Sequence, residues 1–273
     1  FVNVAKSGSP SQFLFGNTSA FDNKMNFDNQ FAGAFGNSGA YKFSALQLEG
    51  NPTFITSSGA NKAALISLTN VTSSPLGGTV NLNGIDSLFI GTVNGSLSLS
   101  DKFTFTNVDG SPFKLIQLYA RNGTVNFGSV MDLRGGKLNL AAEQNINVLS
   151  TASIKGDSAI LNALGNATID GSIRTHFGQI YAGSNLIVNG TVKADTFNGY
   201  GATGTINGSL TGKNLNLQIG GDLNLTSAGS LSSKDKLNIV TGGAMNLAGA
   251  TEDLADATST SKTYNLTAGT DIN

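Results

Sequence analysis

The sequence predicts an all-β fold: a right-handed parallel β-helix with about 20–22 residues and three short strands per coil, closed by an N-terminal capping segment. Three observations lead there. Short runs alternate apolar with small polar residues, as a strand with one buried face does. The runs recur in triplets at a nearly constant spacing. No segment carries an i, i+3, i+4 apolar stripe of helical length. An antiparallel sandwich or a β-prism could show such alternation by accident, but a parallel ladder also explains the same residue class returning at each step.

Residues 1–40 are aromatic and polar without a clean period, and 41–273 hold the repeats. A solenoid end exposes strand edges and an open core, so it needs a cap. Phe13, Phe15, Phe21, Phe27, Phe31 and Phe35 are suited to form one. The same stretch also reads as a Phe-rich loop, or as an intersubunit arm lying on a neighbouring molecule.

The clearest period starts at Gly136. GKLNLAA (136–142), QNINVLS (144–150) and ASIKG (152–156) form one set, followed by DSAILNA (157–163), GNATIDG (165–171) and SIRT (172–175). GQIYAG (178–183), SNLIVNG (184–190) and TVKA (191–194) form the third. First segments thus begin at 136, 157 and 178, two steps of 21, which would stack Leu138 on Ala159 and Ile180. The third-segment residues Ile154, Ile173 and Val192 step by 19, and Ile146, Ala167 and Leu186 share a second-segment position. DTFNGYGATG (195–204) looks like an insertion, after which Leu215 to Leu237 and Leu223 to Met245 are both steps of 22.

Leu138, Leu140, Ile146, Val148, Ile154, Leu215, Leu217, Leu223, Leu225, Leu237 and Ile239 should face inward, with Gly, Asn, Asp and Ser at corners and outward Asn and Thr laddering between coils. Ten to twelve coils are expected, roughly 50–60 Å of stacked strands. GATEDLADATS (249–259) reads as a solvated loop or short surface helix between coils. In KTYNLTAGTDIN, Tyr264 and Leu266 take the places of Leu237 and Ile239, and Ile272 that of Met245. The array is therefore expected to be truncated in mid-repeat at Asn273, and a start at Phe1 without Met suggests a processed piece of a longer chain.

Composition narrows the function. Charged residues make up 12% against about 25% in ordinary domains. A net charge of -1 argues against nucleic acid or an anionic membrane as partner. The absence of cysteine excludes disulfides, thiolate zinc sites and thiol catalysis. Carbohydrate-cleaving β-helices need clustered carboxylates with a base. Here Asp101, Asp109, Asp132, Glu143, Asp157, Asp170, Asp195, Asp222 and Asp235 fall about one to a coil, as turn residues do. The lone His176, beside Arg174, reads as an exposed corner residue without a partner signature. No phosphate loop, metal spacing or nucleophile elbow occurs, so no enzyme activity and no cofactor are expected. The Asn-X-Ser/Thr triplets, such as those at Asn70 and Asn166, follow from composition.

The segment ALISLTNVTSSPLGGTVNLNGIDSLFIGTVNGSLSLSDKF (64–103) resembles the secretion domain of two-partner-secreted exoproteins, the filamentous-haemagglutinin-like adhesins. That domain carries an NPNL motif followed by NPNGI. Asn51-Pro52-Thr53-Phe54 keeps the first two residues of the former, and Asn81-Leu82-Asn83-Gly84-Ile85 matches the latter at every position except the proline. GGDLNLTSAGSLSSKDKLNIVTGGAMNLAG (220–249) is similar to the repeats that extend such proteins into fibres. The resemblance implies export through an outer-membrane β-barrel transporter of the two-partner type and display as a secreted, bacterial cell-surface adhesin. Asn51, Pro52, Asn81, Asn83, Gly84 and Ile85 would then serve secretion; Asn83-Gly84 also reads as a plain tight turn. Host or neighbouring-cell surfaces are the expected partners. The alternative is a structural subunit that stacks end to end with copies of itself into an extracellular filament.

Overall fold

The computed structural model describes residues 87–92, 95–104, 110–248 and 265–273 in full. Through their backbone alone it describes the strands at 12–13, 24–27, 40–43, 53–56, 63–68, 76–82, 105–107 and 263–264. All paired strands run parallel, in two sheets that climb the molecule side by side. One sheet links thirteen strands from Gln12–Phe13 to Thr263–Thr267, and the other links eleven from Lys24–Phe27 to Met245–Leu247. The fully described residues form a β-solenoid of about 6 turns, with no helix among the described residues. Two short strands inside the expected cap, Gln12–Phe13 and Lys24–Phe27, pair into these sheets with Ala40–Phe43 and Thr53–Thr56. The rest of 1–39, and the segment 249–259, lie outside the described residues.

Alternation drives the core. In Lys137–Ala142 the side chains of Leu138, Leu140 and Ala142 point inward, and in Ile146–Val148 the two aliphatic residues do. All eleven residues expected inside are 3% exposed or less. Each inward residue lands on its counterpart one coil away, so the buried apolar area is continuous along the axis.

The third segment of one coil and the first of the next prove to be one strand. Ser153–Ala163, Ser172–Ala182, Thr191–Gly201 and Ser209–Ile219 each run 11 residues through a bend. Within Ser172–Ala182 the inward residues are Ile173 and Thr175, then Gly178, Ile180 and Ala182; His176 and Phe177 both turn outward where the strand bends. Small inward residues (Gly156, Thr175, Ala194, Gly212 and Ser233) stack at the bend and let the backbone turn without losing its pairing.

This continuity corrects two sequence expectations. Leu138 stacks on Ala159 at the expected step of 21, but segments on one strand share a step where no bulge intervenes, so the step of 19 from Ile154 to Ile173 also carries the first segment on to the next coil. Ala159 therefore pairs with Gly178, and Ile180 sits on Leu161, not on Ala159. The apparent insertion at 195–204 is an ordinary coil as well. Phe197 stands between Gly178 and Leu215, Gly199 between Ile180 and Leu217, and Gly204 between Leu186 and Leu223. Two inward glycines hid the period, and a phenylalanine fills the room they leave. A Cβ on Gly199 would lie 2.6 Å from Leu217 Cδ2 and 3.0 Å from the Phe197 ring, and one on Gly178 would lie 3.0 Å from that ring.

Corners and outer faces carry polar ladders. Asn189 Nδ2 donates to Asp170 Oδ1 at 2.7 Å and Asn207 Nδ2 to Asn189 Oδ1 at 2.7 Å, at the three two-residue corners Asp170-Gly171, Asn189-Gly190 and Asn207-Gly208. The glycines there are obligatory, since a Cβ on Gly190 or Gly208 would run into the carbonyl of the glycine stacked on it. On the long strands Asn216 donates to Asn198 and Asn238 to Asn216, at 3.3 and 2.6 Å.

Two substitutions test this packing through urea unfolding. Phe197→Ala should cost about 3–5 kcal/mol, because flanking glycines have no side chains with which to fill the cavity. Leu217→Asp buries an unpaired charge and should cost several kcal/mol, on the order of a whole domain's margin. Near-wild-type stability of either variant would contradict the register described above.

Candidate functional site

Of the residues implied by the secretion-domain resemblance, only Asn81 lies within a described strand; Asn51, Pro52, Asn83, Gly84 and Ile85 lie outside the described residues. The backbone nevertheless relates the two motifs. Thr53, which directly follows Asn51-Pro52, is the pairing partner of Asn81 on the next coil.

Asp132, Glu143 and Asp222 hold turns, as expected of acids in this chain, whereas Asp101, Asp157, Asp195 and Asp235 lie within strands. Asp132 Oδ1 accepts from the amide of Arg134, which has a positive φ of 49°, and Asp132 Oδ2 meets Lys155 Nζ at 3.1 Å. These contacts hold the Asp132 carboxyl below the usual range, the backbone hydrogen bond first. Asp222 Oδ1 accepts from the Ala244 amide at 2.8 Å. Glu143 takes the Tyr119 hydroxyl at 2.5 Å and the Asn122 amide at 3.0 Å. The Tyr119 hydrogen bond chiefly lowers the Glu143 pKa, and the same bond raises that of Tyr119.

His176 is exposed, as expected, but it sits at a bend in mid-strand and not at a corner, and it has a partner that the sequence did not reveal. Its Nδ1 lies 2.7 Å from Asp195 Oδ2, and Asp195 Oδ1 lies 3.2 Å from Lys213 Nζ. The three occupy the outward bend position on successive coils. The step of 19 already visible in Ile154, Ile173 and Val192 leads from His176 to Asp195; reading 195–204 as an insertion concealed it. Asp195 is held below the ordinary carboxyl range, first by the hydrogen bond from His176 and then by that from Lys213.

Beside this column runs a second one. Lys155, Arg174 and Lys193 are in register on the exposed face before the bend. Together the columns border a groove of about 320 Å³, whose floor is the small-residue stack at Gly156, Thr175, Ala194 and Gly212. A shallower recess lies elsewhere on the same sheet, where Tyr181, Tyr200, Gln218 and Val240 are stacked in register on the outer face.

Chemically the groove offers cations, hydroxyls, one imidazole and a single carboxylate, Asp195. General acid–base hydrolysis of a glycoside would call for two carboxyl groups facing each other across the bond. Among the described residues no three His, Asp or Glu side chains converge as metal ligands. No protein-family model, curated protein or solved structure matches the chain.

The inter-coil bridge at Asp195 has a definite pH signature. A carboxyl with a lowered folded-state pKa contributes stability above its unfolded value, about 3.9, and loses that contribution as pH falls through the lower folded value. Asp195→Asn should therefore unfold at lower urea than wild type at pH 6, and the difference should shrink towards zero on titration to pH 2. A gap that persists in acid would mean the carboxylate's charge is not what the bridge uses.

Proposed function

We propose that the chain is a non-catalytic, secreted cell-surface protein of the adhesin type, exported by an outer-membrane two-partner transporter. One observation carries the reading. The side chains that the described coils present to solvent stand in rows, each in register with the next coil, as in Lys155–Arg174–Lys193, Asn198–Asn216–Asn238 and Tyr181–Tyr200. Rows suit an extended partner, a surface or a long polymer, more than a small substrate, which calls for convergent groups in a concave pocket. The solenoid is also compatible with emergence from a narrow transporter, because each coil pairs with the one before it and folding can proceed along the axis. Fold alone does not choose among functions; the motif resemblance at Asn51-Pro52 and Asn81–Ile85 supports export of this kind.

Two measurements test the proposal. Co-expression with an outer-membrane two-partner transporter should release the chain from the cell, and the pair Asn51→Ala with Asn83→Ala should reduce release several-fold without lowering the intracellular amount. Purified protein should be single rods by electron microscopy and should attach to target cells. Equal release without a transporter would sink the export reading. End-to-end fibres that lengthen with concentration, with no attachment, would favour the filament subunit instead.

A further inference from the structure

We infer that the groove at the bend of the long strands binds a linear anionic polysaccharide, with Arg174 and Lys193 as its principal contacts. Five of the chain's 16 Lys and Arg residues line this one groove, against a single acidic side chain, although the whole molecule carries a net charge of only -1. So uneven a distribution creates a local positive field that composition averages away.

The geometry suits a polymer. Lys155, Arg174 and Lys193 project from adjacent parallel strands, hence about 4.8 Å apart, and lie along the solenoid axis. A chain laid along the groove meets one cation per coil. Lys155 is shared with Asp132, and Lys213 with Asp195. Arg174 and Lys193 are exposed and form no ion pair among the described residues, which leaves their charge for a ligand. Arg174 also presents the planar fork that matches a carboxylate or sulfate with two hydrogen bonds.

The remaining groups favour a sugar over a nucleic acid. The lining holds no Phe, Tyr or Trp on which bases could stack. Asp195 sits among the cations, where its carboxylate can accept hydrogen bonds from sugar hydroxyls. Thr211 adds a hydroxyl on the rim. Carboxylated and sulfated glycans share the chemistry this site reads, an anion repeated along a hydroxyl-rich chain.

The biological setting of this binding rests on the surface-adhesin reading, but the binding itself is measurable without it. The full chain is titrated by calorimetry with dextran sulfate, polygalacturonate, neutral dextran and single-stranded oligothymidylate. Dextran sulfate, polygalacturonate or both should bind, the stronger of them showing whether sulfate or carboxylate is preferred, and affinity should fall with salt. Neutral dextran should not bind, and the oligonucleotide should bind more weakly. The double variant R174S/K193S should lose about tenfold or more in affinity and flatten the salt dependence, while its melting temperature stays unchanged because both side chains point into solvent. Arg121→Ser, which removes an exposed charge outside the groove, should bind as wild type does.

Absence of glycan binding overturns the inference, as does equal binding by wild type and R174S/K193S. Oligonucleotide binding as tight as glycan binding, with the same dependence on the two residues, overturns the assignment to a sugar. Groove-dependent glycan binding by a protein that fails to attach to cells upholds the groove and removes the adhesin reading. Cell attachment without glycan binding removes the groove alone.

Discussion

Parallel backbone pairing between successive coils is the constraint from which the rest of this structure follows. Each strand in the stack must present its amides and carbonyls to two neighbours at a fixed spacing, and an unpaired group in the interior would cost as much as a lost hydrogen bond. Coil length is free only where the pairing can tolerate it. Between Lys137 and Leu247 the steps between stacked residues run from 18, as between Asn189 and Asn207, to 22, as between Asn216 and Asn238. The differences are taken up at corners. Asp170-Gly171 and Asn207-Gly208 turn in two residues, whereas 149–152 and 226–229 use four, closed by Ala152 N to Leu149 O and Gly229 N to Thr226 O bonds. Lys234 and Asp235 stand opposite the single residue Lys213, the bulge where one further residue is absorbed.

The same constraint explains what the core accepts. A residue in the stack cannot move along the axis, so volume is balanced between neighbouring coils. Phe197 is tolerated because Gly178 and Gly199 yield to it, and Gly204 leaves space that Leu223 and Ile219 use. Packing at interior density demands this exchange, since a void or an overfilled layer is costly. The glycines are thus the complements of large neighbours more than breaks in the repeat.

That exchange also sets how far the sequence could be read. Where leucine and isoleucine recur, as from Leu215 to Ile239, the alternation and the step of 22 give the right faces and partners, and the matching alternation alone places Tyr264 on Leu237 and Ile272 beside Met245. Where glycine or phenylalanine replaces them, a residue-by-residue alignment loses the phase, because volume is conserved between two coils and not within either. The step of 21 at the first segments misplaced Ile180 for this reason. The strand continuity that would have fixed it has no residue signature: Asp157, His176, Asp195 and Lys213 resemble turn residues, yet they sit in mid-strand at a bend.

The bend is also where chemistry can gather. Inward positions are committed to the apolar stack, and outward positions on flat strands form rows of like residues held apart by the coil spacing. At the bend two consecutive residues turn outward, so side chains from the two arms of one strand converge with those of the next coil. His176, Asp195 and Lys213 meet there across three coils, beside Lys155, Arg174 and Lys193 from the adjoining arm. A chain with few charges can still build a strongly charged site this way. Stacking multiplies each corner residue along the axis, and the bend gathers two such columns over a floor of small residues.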